Sequence, residues 1–194
     1  MDILVTLGRT LGFSMAAGVN LYATVAILGL ASRYGWVALP EQFRVFDHDL
    51  VIYAAAALFV VEFVADKIPW IDSIWDSVHT FIRPVGGALV AIATLGEASA
   101  TSEVITGLVG GTIAAGSHFT KASTRVAVNA SPEPFSNWAV SFFEDAFVLG
   151  LGLLALKYPL AAFVVTVAIL LAIVFALRWI FRKLRGLGQS VATA

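Results

Sequence analysis

Apolar residues run along this chain in six long blocks, separated by short stretches rich in polar residues, glycine or proline. The first block, Ile3 to Ala31, is long enough to cross a bilayer with some tilt. The second runs from Val51 to Lys67 and is closed by Pro69, because the residue before a proline is pushed out of helical geometry. From Leu58 to Arg83 the chain reads LFVVEFVADKIPWIDSIWDSVHTFIR, apolar at first and then increasingly charged. Within it Trp70, Ile71, Ile74, Trp75, Val78, Phe81 and Ile82 share one helical stripe. Asp72, Asp76, His79 and Arg83 share the opposite one. Two placements follow: a helix lying in the membrane interface, or the first half of a third span with its acidic face turned inward. On the second placement Pro84, Gly86 and Gly87 break that span near its middle, since Val85 to Leu95 is too short to cross alone. A turn at Gly96 to Ser102 leads to a fourth block from Glu103, which carries His118, Lys121, Arg125 and Asn129 along one face. Ser131-Pro-Glu-Pro stops it, and Ser136 or Asn137 is placed to cap the fifth block, Trp138 to Leu156. The sixth runs from Leu160 to Ile180.

The pattern predicts an all-α fold, a polytopic membrane helix bundle of about six spans in a single domain, residues 1–194. Composition agrees: 59% of residues are hydrophobic and 13% charged, against roughly 25% charged in a soluble domain. With no cysteine, disulfides, thiolate metal sites and cysteine nucleophiles are excluded. Met1-Asp2 lacks the positive region of a cleaved signal, so the first block is expected to be retained. Its Gly8, Gly12, Ser14, Ala16, Ala17 and Gly18 suit close helix packing in lipid. Asn20, Tyr22 and Thr24 are its polar interior candidates. Arg178, Arg182, Lys183 and Arg185 make the C-terminal end cytoplasmic by the positive-inside rule, and six spans bring the N-terminus to the same side. Lys67 sits at an expected membrane edge, where it can snorkel.

Two similarities suggest duplication. Gly12-x-x-x-Ala-Ala-Gly18 matches Gly110-x-x-x-Ala-Ala-Gly116, and Lys67-Ile-Pro69 matches Lys157-Tyr-Pro159. Halves 1–97 and 98–185 of three spans each would face opposite ways, the inverted-repeat plan of many transporters, followed by a tail at 186–194. Four spans plus a re-entrant hairpin from Pro84 to Gly116 is the other arrangement.

Ionisable residues in such a chain call for an explanation. Folding the third and fourth blocks about the Gly96 to Ser102 turn brings His79 level with His118 and Lys121, Asp76 with Arg125, and Arg83 with Gly116. Glu62 and Asp66 reach the same depth from the second block. The expectation is one mixed-charge cluster. Lys121, Arg125, His118, Asn20 and Arg83 are its candidates for binding substrate. Glu62, Asp66, Asp72, Asp76, His79, Glu144 and Asp145 are its candidates for ion coupling, with the histidines free to titrate near neutral pH. The plainer reading is compensation, each cation neutralising a carboxylate that could not stand alone. His79, His118, Asp72, Asp76 and Glu144 could also gather a metal, although the histidines lack paired spacing; Asp47-His48-Asp49 reads as a solvated loop. No G-x-S-x-G, H-E-x-x-H or P-loop is present. No cofactor is expected, and the few basic residues give nucleic-acid binding no support.

Four stretches carry a resemblance: A-A-G-V-N-L-Y-A-T at Ala16 to Thr24, E-F-x-A-D-K-I-P-x-x-D-x-x-W-D-x-x-H-T-x-x-R-P at Glu62 to Pro84, H-x-x-K-A-x-x-R at His118 to Arg125, and N-x-S-P-E-P-x-S-N at Asn129 to Asn137. The chain resembles a family of small bacterial multi-span integral membrane proteins known by a domain-of-unknown-function label. The resemblance implies an intact multi-span protein of the bacterial plasma membrane and assigns no activity. The functional expectation is a small transporter or channel for an anionic or zwitterionic solute or lipid headgroup, coupled to protons or sodium, as a monomer or homo-oligomer. The alternatives are a non-transporting scaffold with paired charges and a membrane enzyme with a carboxylate-histidine metal site.

Overall fold

The computed structural model describes residues 3–130 and 134–192, with the side chains of 3–130 and 135–183. Among the described residues the fold is all helix. In order these are α1 (Ile3–Val19), α2 (Leu21–Arg33), a 3-10 segment (Glu41–Asp47), α3 (Asp49–Ala65), α4 (Pro69–Leu95), α5 (Ala100–Asn129), α6 (Pro134–Lys157) and α7 (Pro159–Ala192). Local chemistry sets the starts. His48 Nδ1 accepts from the Leu50 N–H at 3.2 Å ahead of α3, and Ser99 Oγ accepts from the Ser102 N–H at 3.3 Å ahead of α5. Pro69 and Pro159 open α4 and α7, where a missing N–H leaves no bond unmade. Ser136 and Asn137 are not caps, because α6 already begins at Pro134; the stop expected at 131–133 falls outside the described residues.

The expected break in the third block is absent. α4 passes through Pro84 as one helix of 27 residues. The glycines expected to loosen it are contact points instead: a Cβ on Gly86 would strike Leu21, and one on Gly87 would strike Ala114. Helices packed this closely support a proline within a span. α4 and α5 run antiparallel in the register expected of their turn. Gly107 meets Ile92, Gly87 meets Ala114, and Thr80 Oγ1 meets His118 Nε2 at 3.1 Å. Both are full helices, so the Pro84 to Gly116 re-entrant hairpin is not formed.

The chain breaks instead inside the first block. Asn20 leaves helical geometry (φ −146°, ψ 101°), and its Oδ1 accepts the Ala23 N–H at 2.9 Å as the cap of α2. α2 then turns back alongside α1. Gly152 on α6 touches both Phe13 and Ile27, residues that a straight helix would hold well over a dozen ångströms apart. The outer ends of both limbs reach the α6–α7 junction, Gly8 at Pro159 and Trp36 over Lys157. α1 and α2 are therefore the two limbs of a re-entrant hairpin whose tip, Asn20, lies in the middle of the bundle.

This changes the topology. α1 and α5, the helices matched by the glycine-alanine pattern, run in the same direction and pack on each other. Ser14 lies at Gly110, Gly18 at Ala114, and Ser117 Oγ donates to the Met15 carbonyl at 3.0 Å. Small residues recur in both because each lets the other approach. Among the described residues three helical stretches suit a membrane span by length and hydropathy: Pro69–Leu95, Phe135–Lys157 and Pro159–Lys183. The 3-10 segment with α3, bent by 58°, makes a fourth. That is fewer than the six expected, because the first block is split into helices of 17 and 13 residues and α5 is rich in glycine, serine and threonine. α7 leaves the junction near Gly8 and runs past Lys121 and Thr124. The start of α1 and the far reach of α7 lie toward opposite ends of the bundle.

Gly18 and Gly116 are equivalent in the sequence match and opposite in the fold. A Cβ on Gly18 would fall on Ser117 Oγ and the Ala114 backbone, whereas one on Gly116 meets nothing within 4 Å. Gly18→Ala should lower stability by about 1–3 kcal/mol through overpacking, and Gly116→Ala should raise it by about 0.5–1 kcal/mol through helix propensity. Thermal unfolding in detergent followed by circular dichroism measures both; equal effects would mean that α1 does not pack on α5 as described.

Candidate functional site

At the depth of the hairpin tip, four elements turn charged side chains inward. On α4 the stripe of Asp72, Asp76, His79 and Arg83 is buried, while Trp70, Ile74, Val78 and Phe81 are exposed. The acidic face thus points into the bundle, which excludes a helix lying flat at the interface. On α5 the row His118, Lys121, Arg125 is buried, with Phe119 and Val126 outside. Glu62 comes from the last turn of α3, Asp66 from the link to α4, and Glu144 from α6.

Three cations organise the cluster. Arg83, fully buried, donates to Glu62 Oε1 at 2.8 Å, Asp76 Oδ1 at 3.1 Å and His118 Nδ1 at 2.7 Å. Lys121 Nζ lies 2.9 Å from Asp66, 3.2 Å from Glu62 and 3.8 Å from Glu144, and 3.4 Å from the Val19 carbonyl at the hairpin tip. Arg125 reaches Asp72 at 3.2 Å, Asp66 and Glu144 at 3.5 Å each, the Asn137 carbonyl at 3.1 Å, and the Asp66 carbonyl. Asn129 donates to Asp72 Oδ2 at 2.6 Å and is itself bonded by the Asn137 amide.

The charges do not balance. Among the described residues five carboxylates (Glu62, Asp66, Asp72, Asp76, Glu144) face three cations (Arg83, Lys121, Arg125). Glu62 Oε2, Asp66 Oδ1, Asp76 Oδ2 and Glu144 Oε2 are buried with no hydrogen-bond donor. Uncompensated ionised carboxylates at such depth cost several kcal/mol each, so protons or a bound cation must make up the difference.

Both histidine rings are hydrogen-bonded at each nitrogen. The Trp75 carbonyl 2.7 Å from His79 Nδ1 calls for a proton there, and Nε2 lies 2.9 Å from Tyr22 OH, a group that can donate or accept. His118 Nδ1 accepts from Arg83, so its Nε2–H donates to Thr80 Oγ1.

Most of the residues singled out in the sequence meet here, with changes of partner. Asp76 pairs with Arg83, not Arg125; His79 faces Tyr22 on α2, not Lys121. Asn20 caps α2 through Oδ1, and its buried Nδ2 has no hydrogen-bond partner. Asp145 lies beside Glu144, with buried Oδ2 lacking a hydrogen-bond partner. Lys67 does not snorkel: its ammonium lies over the Phe63 ring and bonds the Phe63 carbonyl at 2.9 Å and Ser141 Oγ at 3.1 Å. His48 is a helix cap and Asp49 pairs with Arg33 at 2.6 Å. Among the described residues no three His, Asp or Glu side chains converge as a metal-holding group. Sequence reasoning missed Thr80, Ser117 and Asn137 as partners; serine, threonine and asparagine give no periodic signal to find them by.

Two cavities reach the cluster. One of about 760 Å³ lies among α1, α5, α6 and α7; its walls are apolar, and Lys121 and Glu144 stand at its polar end. A smaller one of about 200 Å³ lies between α4 and α5 and touches Asp76 and Arg125.

Arg83→Ala should lower stability by about 3–5 kcal/mol, because it strands Glu62 and Asp76. Combining Arg83→Met with Glu62→Gln and Asp76→Asn should restore most of the loss. Melting in detergent measures this; a tolerated single variant would mean that the ion pairs carry little of the fold.

No curated protein and no solved structure matches the chain. Residues 7–179 match a family model described as "Domain of unknown function (DUF4126)". The buried motif residues at Glu62 to Pro84 and His118 to Arg125 all fall inside that match, and the chain belongs to this family.

Proposed function

We propose that this protein is a small proton-coupled membrane transporter whose solute meets the mixed-charge cluster at the tip of the α1–α2 hairpin. The observation carrying this reading is the surplus of buried carboxylates, with orphaned oxygens, beside a cavity. Compensation alone would pair charges one for one. A surplus calls for exchangeable protons, and Glu62 and Asp66 on either side of Lys121 are their natural carriers. Lys121, at 3.8 Å from Glu144, has a third acceptor toward which it can move when Asp66 is protonated. An anionic solute would have to displace Asp66 or Glu144 from Lys121 and Arg125, so a zwitterion or cation suits the cluster better.

The basic residues Arg178, Arg182 and Lys183 favour a cytoplasmic end for α7. With the hairpin re-entrant, α1 then begins on the opposite side of a bacterial plasma membrane.

A non-transporting scaffold remains the second reading, favoured by the saturated pairing of Arg83 with Glu62 and Asp76. Flux separates them. In proteoliposomes loaded with a pH-sensitive dye, an imposed membrane potential should drive protein-dependent proton movement. Asp66→Asn and Arg125→Gln should each abolish it while the protein still elutes as one folded species. Equal proton movement with and without protein would overturn the transport reading in favour of the scaffold.

A further inference from the structure

The larger cavity has a feature that the coupling reading does not use. Phe143 forms part of its wall and is 74% exposed, so the cavity opens on the outer face of the bundle, toward lipid. Its volume of about 760 Å³ lies within the range of small-molecule sites, roughly 300–1,000 Å³. Val140, Phe147, Ile169 and Ile173 line it with hydrocarbon. Only at the inner end does the wall become charged, at Lys121 and Glu144.

Those two groups are unequal as binding partners. Lys121 has three N–H donors and four acceptors within 3.8 Å, so no donor is left for an anion. Glu144 is about nine-tenths buried and its Oε2 receives no hydrogen bond; the nearest cations stand off at 3.5 and 3.8 Å. The local surplus of carboxylates repels a second anion and attracts a cation. The vacant function is an acceptor at the end of an apolar slot.

We infer that this cavity binds an amphiphilic amine, a protonated nitrogen on a long apolar body, which enters laterally from the bilayer and donates to Glu144. The apolar body fills the slot between α5, α6 and α7, and the ammonium supplies the positive charge that the cluster lacks. Aromatic rings at Phe143 and Phe147 add favourable faces for a cation on the way in. The assignment names a substrate class for the transporter proposed above and rests on that reading for its purpose, but binding is tested without flux.

The probes are dodecylamine and dodecanoate, which share a chain and differ in charge, titrated calorimetrically into the full-length protein in nanodiscs with empty nanodiscs as blank. Dodecylamine should bind above the blank and dodecanoate should not. Glu144→Gln should weaken the amine about tenfold or more, the weight of one charge-assisted hydrogen bond. Ala139→Trp, which keeps every charge and fills the slot, should weaken it comparably and decides the matter if the glutamate variant fails to fold. Absence of amine binding, equal binding of dodecanoate, or full binding by the folded variants would each overturn the inference. Amine binding lost while Asp66-dependent proton movement persists would overturn this inference alone; amine binding kept with no proton movement would overturn transport alone.

Discussion

A charge cannot be left unpaired in a low-dielectric interior, and that requirement decides where most of this molecule's helices must be. Arg83 on α4 is fully buried and needs Glu62 from α3; Lys121 on α5 needs Glu62 and Asp66; Arg125 needs Asp72 from α4 and the Asn137 carbonyl from α6. Each contact joins a different pair of elements, and the same carboxylates are shared between cations. Moving α3, α4 or α5 by a turn would strand charge on two others. The apolar packing around this centre is permissive by comparison, since Ala, Val and Leu contacts survive small shifts that ion pairs at 2.8–3.2 Å do not.

The second constraint is proximity of backbones. A re-entrant hairpin brings polar main chain to mid-depth, which is tolerated only where protein surrounds it or water reaches it. Gly18 against Ala114 and Gly110 against Ser14 let α1 sit close enough to α5 for protein to do the surrounding. The break itself is then used: the Val19 carbonyl, near the tip, lies 3.4 Å from the Lys121 ammonium. Packing of small residues and neutralisation of charge are in this way one design, because the glycines determine whether the tip can reach the cation.

Much of this was legible in the sequence. The opposed stripes of α4, the row His118, Lys121, Arg125 and the register about the Gly96 to Ser102 turn all follow from a period of 3.6 residues and a short connection. What could not be read were departures from periodicity. Pro84 looked like a breaker, yet the helix continues through it, with Leu21 and Ala114 packed against the glycines that follow. Asn20 looked like one weakly polar residue in an apolar run, although its side chain caps a new helix and reverses the chain. The glycine-alanine match suggested duplication, where the fold uses the two segments as the faces of a single interface. Partners such as Tyr22 for His79 depend on that reversal, so they were out of reach once the hairpin was missed.

The histidines sharpen the reading of the cluster. Had His79 and His118 been protonated, they would have supplied two positive charges and brought five cations against five carboxylates. The bonding of His118 works against that, because its Nδ1 faces the Arg83 guanidinium, which can only donate. The deficit of positive charge is therefore built into the bonding pattern. It falls on carboxylates whose free oxygens lie beside Lys121 and on Glu144 at the inner end of an apolar slot. A proton on the first and an ammonium at the second would both answer the same electrostatic demand. Because the two sites share Lys121 as a neighbour, satisfying one weakens the pull of the other, and that mutual exclusion would be the physical root of the coupling proposed above.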